Sequence, residues 1–514
     1  MGCGLSLSRR DRLPRLNAAD DDTTVTQADT PPPLATEEEA PPTLCRAESC
    51  GATFDRVFQQ KPLERRELAI TVRAWEELPE SLPSAASSAW DDVLSKERWW
   101  RKCMGSELEP PLENGAIALV DAGWLVTLAE DNGVLPPRQA APPEAFLSLE
   151  EVRMMTPMGH CAGYERINLR IICVSHTWLQ PEHPDPFGYN LRRLGRALKL
   201  LLESPHHCGR WGVFIDWISL YQACRAPDGT PQSRTVLSDG SCGRRLPSED
   251  VLFRQALRSL GLFYSHMATH VFKLTSFPVG YPGPPYELPP VANLAGYDAR
   301  GWCYCESSWA SIGNKCPDLV IDLHDTHGAD MSGVDTGEAE CWASLLRGGQ
   351  LRRDPPISPA RFEAELATRS FTNGKDDKPL VAKLYREGFT ARMGVCARLV
   401  FAGHGWGPAE VATMAETLST GCAHNLEMLV LLSNPVGDGG ALAIAGMLPH
   451  VPKLRLILMG EATVGTEATA ALRAACEARA VDLRMISKVG EVMWWGLCAS
   501  VHSVHDALGE GALE

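Results

Sequence analysis

Between residues 169 and 323, short apolar runs alternate with helical stretches, and this alternation predicts an α/β fold built on a parallel sheet. Two observations carry the prediction. Residues 169–175, 212–218, 270–274 and 319–323 are continuous apolar runs bounded by polar residues, the pattern of strands buried on both faces. Between the first two runs, Leu191, Leu194, Leu198, Leu201 and Leu202 recur at helical spacing. A β–α–β alternation of this kind folds as a parallel sheet with helices on both faces.

The chain of 514 residues is too long for one domain, and its 44% hydrophobic content is enough for sizeable cores. A net charge of -15 argues against general nucleic-acid binding. Seventeen cysteines are scattered through the chain without a secretory signal, which points to reduced thiols in a cytosolic setting. No apolar run approaches the roughly 18–20 residues of a spanning helix.

Residues 1–53 read as a lipidated tail and a tether. Gly2 and Ser6 fit an N-myristoylation signal and Cys3 is placed for palmitoylation. Arg9, Arg10, Arg12 and Arg15 supply a basic cluster that would reinforce binding to the inner face of a membrane. The acidic, proline-rich stretch that follows cannot bury enough apolar surface to fold. Residues 54–165 carry Leu and Trp at helical spacings, such as Trp75, Leu78 and Leu82, and read as a mostly helical lead-in. Ile117 to Val120 and Trp124 to Val126 fit a short strand or a helix equally well.

Residues 166–325 hold the candidate chemistry. After the first two strands, a polar loop over 226–247 leads to a helix started by Ser248, Glu249 and Asp250, and a proline-rich loop over 278–290 follows the third strand. Residues 297–314 then read as one helix, capped by Asp298 and stopped by Gly313 and Asn314. On it, Trp302, Cys305, Glu306 and Trp309 share a face, so one carboxylate lies between two indoles and a thiol. Burial there should raise its pKa. Either Glu306 pairs with Arg300 or Lys315, or it stands in a cleft with an aromatic wall for a ring-bearing ligand. Ligands of parallel sheets sit outside the carboxyl ends of the strands. Those ends carry Ser175, His176 and Trp178, then Asp216, then the loop feeding Arg300 and Trp302. Asp216 alone would also serve as a cap for the next turn. Cys303 and Cys305, with Cys316 and His324, lack the usual zinc spacing, so no metal site is assigned.

The segments 172–178, 213–216, 263–265 and 300–306 resemble two related families. In the heterokaryon-incompatibility domain, a strand ends in Ser-x-x-Trp, another in Ile-Asp, and a late Arg-Gly-Trp precedes a Glu. In the Toll/interleukin-receptor (TIR) domain, a Trp-Cys-x-x-Glu helix is common, as in Trp302-Cys303-Tyr304-Cys305-Glu306. The resemblance covers about a third of the chain and implies a flavodoxin-like fold. In enzymatic members it implies cleavage of the nicotinamide–ribose bond of NAD, with NAD as substrate and no separate cofactor. The catalytic role then passes to Glu306, whose anion would stabilise an oxocarbenium-like ribose. Ser175, His176, Trp178, Asp216, Arg300 and Trp302 are the candidate substrate-binding residues. The loop over 226–247 and the long proline loop depart from the TIR pattern, and many members are non-catalytic assembly modules.

Residues 326–391 read as a helical connector in which Ser358-Pro359 starts a helix. Residues 392–514 hold an internal repeat. Leu426 to Leu454 and Gly437 to Gly465 step by about 28 residues, within the leucine-rich range. The pattern resembles the ribonuclease-inhibitor-like leucine-rich class, a surface for a protein partner. No phosphate-loop motif is present. The expectation is a lipid-anchored signalling or innate-immunity protein on the cytoplasmic face of a membrane. It is either an NAD hydrolase or a non-catalytic scaffold that self-associates.

Overall fold

The computed structural model describes residues 100–486, except 102, 156–168, 205–208, 224–244, 279, 285, 287–292, 314–318, 324–341, 343–344, 346–352 and 373–376. Gly2, Cys3, Lys315, Cys316 and His324 lie outside the described residues. All described residues belong to one compact unit, Leu78–Glu514.

The fold is α/β with two sheets. In chain order the first part comprises α1 (Glu109–Glu113), β1 (Leu119–Asp121), α2 (Ala122–Glu130), β2 (Phe146–Leu147) and α3 (Leu149–Met154). Then come β3 (Ile171–His176), α4 (Tyr189–Glu203), β4 (Gly212–Phe214), α5 (Asp216–Ser219), α6 (Pro247–Ser265), β5 (His270–Leu274), α7 (Gly301–Ala310) and β6 (Val320–Asp322). The remainder is α8 (Pro359–Leu366), α9 (Asp377–Val395), β7 (Arg398–Val400), α10 (Pro408–Leu418), β8 (Met428–Leu431), α11 (Gly437–Met447), β9 (Leu456–Gly460), α12 (Thr466–Glu477) and β10 (Asp482–Ile486).

The larger sheet has six strands in the order β2-β1-β4-β3-β5-β6. Strands β3 to β6 are mutually parallel, as expected. The sheet as a whole is mixed, which corrects the purely parallel reading. The segment read as a helical lead-in contributes β1 and β2, and β1 runs antiparallel to β4 with Val120 opposite Val213. Asp121 ends that strand by accepting from the backbone N–H of Trp124 at 3.1 Å, which starts α2 one residue later. Strand and helix signals thus abut without a spacer. The strand expected over 212–218 is also shorter. Ser219 Oγ accepts from Ile215 N–H and Asp216 accepts from Trp217 N–H, so the chain turns into α5 after Phe214.

Strand residues alternate between two cores. Ile172, Val174, Val213 and Phe272 face Leu125 of α2 and Leu194 and Leu198 of α4. Gly195 lets those helices approach, because a Cβ there would lie 2.4 Å from the Ala129 Cβ. Ile171, Cys173 and Val271 face the opposite way, against Leu260 and Phe263 of α6 and Trp309 of α7. The connector helices α8 and α9 close this second core, with Phe362 stacked on Tyr385 at 3.8 Å between ring centroids.

The smaller sheet is parallel, in the order β10-β9-β8-β7, and takes up the expected repeat as alternating strands and helices; β10 adds a strand that the repeat pattern did not reveal. Its inward residues Leu399, Leu429 and Ile457 belong to the same core as Ile171 and Val271. Asn434 is buried between its strand ends. Its Nδ2 donates to the carbonyls of Phe401, Leu431 and Leu432, and its Oδ1 accepts from Trp406 N–H at 3.0 Å. Asn434→Ala strands those groups and should lower the unfolding free energy by about 2–4 kcal/mol. The measurement is urea denaturation, and an unchanged midpoint would contradict this role.

Candidate functional site

The carboxyl ends of β3, β4 and β5 converge below the first turn of α7. The expected helix over 297–314 is broken in two: Tyr297–Ala299 is a short 3-10 turn, and α7 begins at Gly301 with Arg300 before it. Asp298 therefore does not cap the long helix. The break arises because Gly301 N–H donates to the Ser370 carbonyl and Ser370 N–H to that of Ala299, which ties the turn to the chain after α8. Phe371 then lies so close that a Cβ on Gly301 would meet its ring at 1.9 Å. The stop at Gly313 holds, with a positive φ of 77°.

The site is a cleft of about 350 Å³ with His176, Trp178, Asp216, Arg300, Trp302 and Glu306 in its walls. Six of the seven residues singled out in the sequence share one concave surface. The seventh, Ser175, lies behind it, fully buried. Its hydroxyl donates to Glu306 Oε2 at 2.5 Å and meets the Tyr297 hydroxyl at 2.6 Å. Ser175 therefore supports the glutamate from behind, in place of the substrate contact expected of it.

Glu306 is 8% exposed, and among the described residues no cation pairs with it. Arg300, one candidate partner, spends its guanidinium on the carbonyls of Ala295, Trp178 and Asn293. It clamps the loop after β3 to the loop before α7, a positioning role in place of the expected ligand contact. Burial lifts the Glu306 carboxyl well above its ordinary value of 4.5 and the nearby charge of Asp216 pushes it further, while the Ser175 and Tyr264 hydroxyls offset only part of the rise. The neutral form is thereby favoured, which departs from the expected anion. The Ser175 and Tyr297 hydroxyls can reverse direction, so the chain of hydrogen bonds accommodates either protonation state.

Asp216 has the opposite surroundings. Its side chain is 29% exposed, and two N–H groups and the His176 imidazole face it. Trp178 Nε1 donates to Oδ2 at 2.8 Å, Trp217 N–H to Oδ1 at 2.7 Å, and His176 Nε2 lies 3.2 Å from Oδ1. Donors of this kind satisfy a charged carboxylate. Asp216 also starts α5, so capping and cleft placement coincide. Trp178 packs edge-on against Trp217 at 5.5 Å, which fixes its ring at the rim. Trp302 donates its indole N–H to Asp377 at 3.0 Å and leaves an apolar face beside Gly301. Cys303 also lines the cleft, donates to the His176 carbonyl at 3.4 Å, and has its thiol pushed up by burial, so it is a poor nucleophile.

Several contributors escaped the sequence reading. Tyr297, Tyr264, Asn293 and Phe371 reach the site through tertiary contacts. Two had a signal, Tyr297 by its place at the start of the Glu306 stretch and Tyr264 by its place in the 263–265 segment of the resemblance. Tyr264 donates to the Val174 carbonyl at 2.8 Å and anchors α6 to β3 beside the glutamate. Lys273 is buried at the end of β5, donates to Ser307 at 2.6 Å, and has its pKa lowered by burial.

The raised Glu306 pKa makes stability depend on pH. Above about 4.5 the unfolded chain loses this proton while the folded chain keeps it, so the contribution to stability is full below that value and falls as pH rises towards the folded pKa. Glu306→Gln does not titrate and should gain stability relative to wild type as pH rises above about 4.5. Urea denaturation of both proteins at each pH measures this, and an offset independent of pH would contradict it.

No protein-family model matches the chain, and no curated protein matches it significantly.

Proposed function

We propose that the chain is a membrane-anchored signalling or defence protein whose cleft hydrolyses the nicotinamide–ribose bond of NAD. The observation that carries this reading is the pair of carboxyl groups in one open cleft: Glu306, buried and with no cation partner among the described residues, and Asp216, partly solvated, with Trp178 and Trp302 beside them. A ring-bearing substrate would lie against an indole while C1′ of the ribose meets the carboxylates. The carbon–nitrogen bond breaks with its electrons passing to the pyridinium nitrogen, and negative charge in the cleft stabilises the ribosyl cation that is left.

A TIR-like or heterokaryon-incompatibility-like assignment draws support from strand order. The parallel strands run β4-β3-β5-β6, the 2-1-3-4 order of flavodoxin-like sheets, and the cleft lies at their carboxyl ends. The small parallel sheet would act as the leucine-rich partner surface, and lipids on Gly2 and Cys3 would hold the protein at the inner face of a membrane. No helix among the described residues is long and apolar enough to cross one.

A second reading, a tethered scaffold that self-associates without turnover, draws on the fact that Arg300 and the Trp302 indole N–H are already engaged by protein partners. One assay separates the two. Purified protein, alone and on anionic lipid vesicles, should release nicotinamide from NAD. Asp216→Ala should lower the rate by roughly a hundredfold or more, and Glu306→Ala by a smaller factor, with the circular dichroism spectrum unchanged. No release under either condition favours the scaffold.

A further inference from the structure

The two carboxylates of the cleft do not have interchangeable surroundings. The described partners of the Glu306 carboxyl are hydroxyls, that of Ser175, itself backed by the hydroxyl of Tyr297, and that of Tyr264. A hydroxyl can accept from a protonated acid as well as donate to its anion. Asp216 is faced by the indole N–H of Trp178, the backbone N–H of Trp217 and the imidazole of His176, and it keeps contact with solvent. Neither group is joined to a lysine or arginine among the described residues. Two carboxyl groups whose surroundings separate them in this way are the arrangement that supplies an acid and a base at one pH.

Pyridinium cleavage does not use such an acid. When the nicotinamide–ribose bond breaks, the bonding pair neutralises the ring nitrogen and the base departs without a proton. A proton donor in the cleft has work to do only when the leaving base is uncharged. We propose that Glu306 is a general acid and Asp216 the matching base, and that the cleft therefore also hydrolyses N-glycosides of uncharged bases such as purine nucleotides. This inference rests on the cleft being an N-glycosidic site.

The step balances without redox chemistry. Glu306 gives its proton to a ring nitrogen of the base, and the C1′–N bond breaks with its electrons going to the base. Water adds its oxygen to C1′ and loses a proton to Asp216. Asp216 then releases that proton to solvent, and Glu306 regains one through the open cleft. Apolar walls suit a flat base. Phe253, Leu257 and Leu260 of α6 line the cleft together with Trp302.

The test uses the full chain and three substrates: NAD, adenosine monophosphate and its 7-deaza analogue, which lacks a purine nitrogen that accepts the proton. Wild type should release nicotinamide from the first and adenine from the second, and should cleave the third at least tenfold more slowly than the second. Glu306→Gln should reduce adenine release at least tenfold more than nicotinamide release, since general acid catalysis contributes roughly 10²–10⁴-fold. Asp216→Asn should depress both. Nicotinamide release without adenine release would overturn this inference and leave the NAD reading standing. Equal cleavage of adenosine monophosphate and its 7-deaza analogue would also overturn it, without relying on any variant folding. Release of neither base from wild type would overturn both.

Discussion

A buried carboxyl group with no counter-charge among the described residues is the constraint around which this molecule is arranged. Leaving one polar group unsatisfied in a protein interior costs roughly 1–3 kcal/mol, and more if it is charged. The surroundings of Glu306 limit that cost through short hydroxyl contacts to β3 and the turn before α7, instead of through an ion pair. For those contacts to exist, α7 must stand directly over the end of β3. Arg300 holds it there from one side through backbone carbonyls, and Phe371 presses on Gly301 from the other. The core beneath, with Phe263, Tyr264 and Trp309, makes that position rigid.

The same core explains why the small sheet needs no independent stability. A solenoid of so few repeats lies near the minimum for folding alone. Here Leu399, Leu429 and Ile457 share a continuous apolar interior with the larger sheet, and Trp406 donates its indole N–H to the Arg353 carbonyl at 2.6 Å. The helices α8 and α9 mediate between the two. Tyr304, two residues before Glu306, joins this contact through its ring, which stacks on Phe362 at 5.1 Å.

Much of this was legible in the sequence because its signals are local. Continuous apolar runs gave β3, β5 and β6, and helical spacing gave α4. The shared face of Trp302, Cys305, Glu306 and Trp309 gave the buried carboxyl, and the rule of strand ends grouped His176, Trp178 and Asp216 with it. What escaped was set by partners distant in sequence. Residues 119–121 are too few to show a strand period and become one only by pairing with β4. The guanidinium of Arg300 has carbonyl partners that no motif announces. The neutral state favoured for Glu306 follows from the depth of its burial, which spacing indicates only in direction. Asp298 has the composition of a helix cap, but the bridge between Arg300 and Ser370 moves the helix start past it.

The central claim is that burial lifts the Glu306 carboxyl well above its ordinary value and so favours its protonated form, and infrared difference spectroscopy tests it most directly. The spectrum of wild type minus Glu306→Gln at about pH 7 should contain a carbonyl stretch of a protonated carboxyl group, shifted by deuterium exchange. A difference spectrum with only ionised carboxylate bands would mean that Glu306 is charged in the folded protein, and the division of labour between the two carboxylates would fall with it.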